Sequence, residues 1–124
     1  MKTVLLADDN QDMIELVQLV LQDSDYNMIT ANDGIEAVNI CLEQSPDLVL
    51  MDLNMPNMNG FDATKNLRDK GFSNPIVVLT SSESEDDKKR AEEVGCNGYI
   101  LKTMDMKDVE ETIDHYLAEV GGLL

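Results

Sequence analysis

The sequence predicts an α/β fold, a doubly wound, five-stranded parallel sheet with five helices, in one domain over residues 1–124. Three observations predict it. Short apolar runs alternate with longer segments of helical period. Several runs are apolar nearly throughout, as strands covered on both faces read. The connections between runs are short, which suits right-handed βα units.

The first strand is predicted over Lys2–Ala7, and Met13, Val17, Val20 and Leu21 form the apolar stripe of the helix that follows. The second strand is Asn27–Ala31; Asn32 or Asp33 is placed to cap a helix whose stripe is Val38, Cys41 and Leu42. The third strand, Leu48–Met51, runs into Asp52 and a Leu-Asn-Met-Pro segment that ends it; Phe61, Thr64 and Leu67 mark a helix ended by Gly71. The fourth strand, Ile76–Leu79, leads to a helix at Ser84–Val94 with only Ala91 and Val94 to bury. That helix is weakly anchored by its composition and is a candidate for movement. The fifth strand is Tyr99–Leu101, and the last helix, capped by Asp105, carries Val109, Ile113, Tyr116 and Val120.

With 124 residues, 43% of them hydrophobic, the chain suits a single core. Its net charge of -16 would be repelled by nucleic-acid phosphates and anionic membranes, which argues against direct nucleic-acid contact. No apolar run is long enough to insert in a bilayer, and the acids at Asp8 and Asp9 fall where a signal peptide needs its cleavage site. Cys41 and Cys96 have no CxxC spacing and read as small buried residues in a reducing, cytoplasmic setting.

In an open parallel sheet, ligands sit beyond the carboxyl ends of the strands. Strand one ends at Asp8 and Asp9, strand three at Asp52, strand four at Thr80 and Ser81, and strand five at Lys102. Each residue alone has a plainer role: a helix cap for the acid pair, a turn former at Asp52, a structural Thr80, a solvated Lys102. Their joint placement argues otherwise. Three close carboxylates repel unless a cation is present, and Mg²⁺ suits oxygen ligands that also face a phosphate. Lys102 supplies a positive charge opposite and Thr80 a hydroxyl, a nest for a tetrahedral dianion at Asp52.

With these residues in place, the whole chain resembles a response-regulator receiver domain, the phosphoacceptor module of two-component signalling. Asp8-Asp9 matches the metal-binding pair, Asp52 in MDLNMPNMNG the phosphoacceptor, and Pro56 and Gly60 the Pro and Gly of that pattern. Thr80, Lys102 and Tyr99 match the hydroxyl, lysine and switch-aromatic positions. The resemblance implies a flavodoxin-like sheet of order 2-1-3-4-5. It implies Mg²⁺ held by Asp9, Asp52 and the backbone carbonyl of Asn54, with Asp8 acting mainly through water. It also implies a sensor histidine kinase or phosphotransfer protein as donor, a downstream protein target, and a monomer or weak dimer. On modification, Thr80 would swing towards the phosphoryl oxygens and Tyr99 would turn inwards. Alone, Tyr99 reads as a half-buried sheet aromatic with its hydroxyl in water.

One departure is Thr103, where the family usually has a proline joined by a cis bond; cis before a non-proline residue costs roughly 3 kcal/mol more. That departure is the only feature favouring a phospho-independent receiver-like interaction module. A phosphohydrolase of the haloacid-dehalogenase type would need a second acid where Asn54 stands. A flavin mononucleotide binder would need a Ser/Thr/Gly-rich loop where Asp8-Asp9-Asn10 stands. The single histidine, His115, reads as a surface residue of the last helix.

Overall fold

The structure is a computed structural model that describes residues 2–102 and 105–122, with side chains for all of these except 106 and 118–122. Strands and helices alternate strictly: β1 (Thr3–Ala7), α1 (Gln11–Leu21), β2 (Asn27–Ala31), α2 (Gly34–Gln44), β3 (Leu48–Asp52), α3 (Gly60–Asp69), β4 (Ile76–Thr80), α4 (Glu85–Val94), β5 (Gly98–Leu101) and α5 (Met106–Gly122). The strands form one parallel sheet, as the sequence pattern predicts, in the order β2-β1-β3-β4-β5 that the resemblance implies. Asp52 and Thr80 are the last residues of their strands rather than the first residues beyond them.

The apolar runs of β1, β3 and β4 are buried on both faces, and alternate residues serve alternate layers. Leu48, Leu50, Val77 and Leu79 pack with α1 and α5 through Val17, Leu21, Val109 and Ile113. Val49, Met51 and Ile76 face the other way, onto Ala37, Val38 and Cys41 of α2 and Ala63 and Leu67 of α3. All residues of β3 and β4 are buried. A rim residue on these central strands is therefore held by a rigid support.

The predicted helix stripes hold with two exceptions. Leu42 is 45% exposed, because Gly34, Ala37, Val38 and Cys41 already fill the face that α2 turns to the sheet. Leu117 is the buried residue near the end of the α5 stripe, while Tyr116 is half-buried and donates its hydroxyl to the Asn97 carbonyl. Val120 lies outside the described side chains. Asn10, Asp33 and Asn59 cap α1, α2 and α3, and Asp105 accepts from the Asp108 N–H at the start of α5.

The loop after β3 depends on Gly60. Its N–H donates to the Leu53 carbonyl at 3.0 Å, and a Cβ there would run into the Asp52 carbonyl oxygen. The start of α3 thus closes directly on the strand end that carries Asp52. Gly60→Ala is expected to lower stability by about 2 kcal/mol despite alanine's better helix propensity, since only backbone can yield. Urea unfolding of the two chains measures this, and an unchanged midpoint would contradict the close approach.

Candidate functional site

Register brings the acids together. Ala7 pairs with Met51, so Asp8 and Asp52, one residue further along each strand, are neighbours at the same rim. Thr80 pairs with Leu101, which puts Lys102 beside the end of β4, where its N–H donates to the Thr80 carbonyl at 2.8 Å. Asp8 is fully buried, Asp52 is 5% exposed, and Asp9 faces solvent. One carboxylate oxygen from each of the three lies within 4.8 Å of the others.

The acid pair does not cap α1. Asn10 does so, accepting from the Asp12 and Met13 N–H groups at 2.8 and 3.4 Å. Asp8 Oδ1 accepts from the Asn10 N–H at 2.9 Å. Its Oδ2 is buried and, among the described residues, has no hydrogen-bond donor aligned on it; the Lys102 ammonium is the cation beside it. Lys102 Nζ lies 2.9 Å from Asp8 Oδ2 and 3.4 Å from Asp52 Oδ2. One ammonium therefore faces two buried carboxylates, and the third acid remains unpaired among the described residues. An oxygen-only donor set, in excess of its counter-charge, fits a hard divalent cation.

The charges on Asp52 and Lys102 respond to this crowding. Burial and the nearby Asp8 charge push the Asp52 carboxyl up to about 6, against the opposing pull of Lys102 and the Asn54 N–H. Burial acts to lower the Lys102 pKa, but its contact with Asp8 and the charge of Asp52 outweigh this and raise it. Lys102 is thus fixed as a cation.

Thr80 is fully buried, and its Oγ1 accepts from the Ser82 N–H at 3.1 Å. Tyr99 is half-buried, as its alternation in β5 suggests, but its hydroxyl is not left to water: it donates to the Ser82 carbonyl at 3.0 Å. Asn54 is exposed, and its N–H points to Asp52 Oδ1 at 3.4 Å. Thr103, and with it the bond that follows Lys102, lies outside the described residues. His115 is exposed on α5. Cys41 is buried and Cys96 half-buried; burial raises both thiols, Cys41 to about 12.

A family model for the response regulator receiver domain matches residues 4–114. The chain belongs to the response regulator receiver family. It is 32% identical over 120 residues to the polar-differentiation response regulator DivK of Brucella anthropi, covering 95% of this chain and 98% of DivK. It is 33% identical over 112 residues to the alkaline phosphatase synthesis transcriptional regulatory protein PhoP of Bacillus subtilis, covering 90% of this chain. It spans only 47% of the length of PhoP. The chemotaxis protein CheY4 of Vibrio cholerae superposes with a TM-score of 0.86 at 31% identity, over 94% of this receiver and 98% of CheY4. The Mn²⁺-bound form of response regulator Rcp1 gives 0.79 at 31% identity, over 93% and 91% of the two chains. Receiver domains are the phosphoacceptor switches of two-component response regulators. Among the described residues, no helix of this receiver is long and apolar enough to cross a membrane.

Three features of the receiver escape a reading by pattern. Ser82 ties three parts of the switch region together: its N–H donates to Thr80, its carbonyl accepts from Tyr99, and its Oγ donates to Asp87 of α4 at 2.7 Å. The sparse apolar face of α4 is supplemented by Arg90, whose guanidinium stacks 4.2 Å from the Phe61 ring centroid and lies 3.9 Å from Asp62. At the other end of α4, Arg68 of α3 donates to the Gly95 and Phe72 carbonyls and to Asn97 Oδ1, fixing the turn into β5.

A carboxyl raised to about 6 in the folded chain and near 3.8 when unfolded binds more protons in the folded state between those values. Stability from this group is therefore present at low pH and lost as pH rises through about 6. In metal-free buffer, Asp52→Asn is expected to match wild type near pH 4 and to exceed it by about 2 kcal/mol at pH 7.5. Thermal melts across this range measure the difference. A variant less stable than wild type at every pH would contradict the assigned crowding.

Proposed function

We propose that this receiver accepts a phosphoryl group on Asp52 from a phosphohistidine of a sensor histidine kinase or phosphotransfer protein, in a Mg²⁺-dependent reaction. The observation that carries this reading is the grouping of Asp8, Asp9 and Asp52 within 4.8 Å, two of them buried around one lysine. Asp9, Asp52 and the Asn54 carbonyl would hold the ion, with Asp8 acting through ordered water. A divalent cation there supplies neutralisation of the charge shared by the carboxylates and the phosphoryl oxygens. The Mn²⁺-bound form of Rcp1, 31% identical, supports a divalent-cation site in a receiver of this kind.

Asp52 is the nucleophile. One of its oxygens forms the bond to phosphorus as the N–P bond of the phosphohistidine breaks, and the imidazole leaves with the bonding electrons. The rigid β3 strand holds the carboxylate for in-line attack. Lys102, already paired with both buried carboxylates, shifts its charge towards the new phosphoryl group. Thr80 gives up the Ser82 N–H and donates its hydroxyl to a phosphoryl oxygen. Tyr99 turns inwards into the space Thr80 leaves, and the face of α4, β5 and α5 changes for a downstream target. Asn54 and Ser82, both small and polar, leave water access to the acyl phosphate and favour a short to intermediate lifetime.

Incubation with Mg²⁺ and acetyl phosphate tests the reading. Intact-mass spectra are expected to show one added phosphoryl group on wild type and none on Asp52→Asn. Labelling of both chains alike would sink the site; no labelling of wild type would favour a phospho-independent interaction module. Asp9→Ala is expected to weaken Mg²⁺ affinity at least tenfold by titration. A phosphoryl half-life of many hours would defeat the lifetime assignment.

A further inference from the structure

A groove of about 400 Å³ lies between the C-terminal end of α1 and the middle of α5. The residues that form it end α1 and precede β2, so it sits at the opposite end of the sheet from Asp52. Its floor is apolar: Val20, Leu21 and Ile113, continuous with the core. Leu19, 54% exposed, stands at its lip. Four exposed acids, Asp23, Asp25, Glu110 and Asp114, line it, and no lysine or arginine does.

The charge is unrelieved in two further respects. The last turn of α1 has no basic residue, although a helix C-terminus carries partial negative charge and favours cations. Asp23 and Asp25 follow it instead. Between residues 3 and 64 the chain has twelve acids and no lysine or arginine. Asp114 is also held in place, accepting from the Tyr26 hydroxyl at 3.2 Å. Apolar floor, exposed leucine and fixed acids together describe a receptor for an apolar side chain flanked by cations.

We propose that this groove docks a basic amphipathic segment of a partner protein, with an apolar side chain against Leu19 and Ile113 and lysines or arginines on the acidic rim. The net charge of -16 disfavours a second copy of this chain as occupant against a basic partner segment. The segment Gly121-Gly-Leu-Leu carries no lysine or arginine to match the acidic rim. The docking is independent of the chemistry at Asp52.

The probe is a short helical peptide with leucine on one face and lysine along its flanks, titrated into the full chain and followed by amide NMR shifts. Shifts are expected to concentrate on α1 from Val17 onward, on residues 22–26 and on α5. Replacing Asp23→Asn, Asp25→Asn and Glu110→Gln together is expected to weaken binding about tenfold, and Leu19→Ala to weaken it with every charge kept. Removing three exposed acids elsewhere, Glu36→Gln, Glu43→Gln and Glu93→Gln, is expected to change affinity less than twofold. Equal weakening by the two triple variants, or shifts spread over the whole acidic surface, would overturn the groove. So would equal binding of a lysine peptide without leucine, self-association through these residues, or shifts at the groove on deleting Leu123 and Leu124.

Discussion

One ammonium set between two buried carboxylates organises the rim of this receiver. Lys102 Nζ is 2.9 Å from Asp8 and 3.4 Å from Asp52, and neither acid is open to solvent. Burying a carboxylate is costly without a partner, and one lysine cannot fully offset two carboxylates with a third close by. The remaining strain is expressed on Asp52, whose carboxyl is pushed up to about 6. A cation or a phosphoryl group arriving at the rim therefore changes the balance of the whole cluster. The parallel sheet supplies what this arrangement requires: register that aligns Asp8 with Asp52, and a fully buried β3 that cannot yield.

The same cluster has a mechanical route outwards. Thr80 ends the strand next to Asp52 and bonds to Ser82, which in turn bonds to Tyr99 and to Asp87 at the start of α4. A change in the Thr80 partner therefore releases one end of a short chain of hydrogen bonds. Arg68 fastens the opposite end of α4, at Gly95. Hence the N-terminal half of α4 is the part with freedom to move, since only Ala91 of the helix is buried. The groove between α1 and α5 lies away from this route.

Much of this was legible in the residues. Apolar runs specify strands buried on both faces, and the rim residues follow from counting to the end of each run. Asp8, Asp52, Thr80 and Lys102 come together as that count predicts. Asp52 and Thr80 are legible as the ends of their strands, but the apolar runs stop one residue short because hydropathy carries no signal for the pairing that register continues. Leu42 misled because a helix face is set by angle, and Ala37 and Cys41 filled the sheet-facing side with smaller residues. Ser82 reaches Tyr99 across 17 residues, Arg68 reaches Gly95 across 27, and Arg90 stacks on a ring in another helix. Periodicity carries no signal for such contacts.

Crowding at the rim raises the Asp52 carboxyl, and a divalent cation is expected to relieve it. Carbon-detected NMR of the aspartate side chains, titrated with and without Mg²⁺, measures this directly. An Asp52 midpoint near 6 is expected in metal-free buffer, moving down by more than one pH unit when Mg²⁺ saturates the site. A midpoint near 4 that Mg²⁺ leaves in place would contradict it.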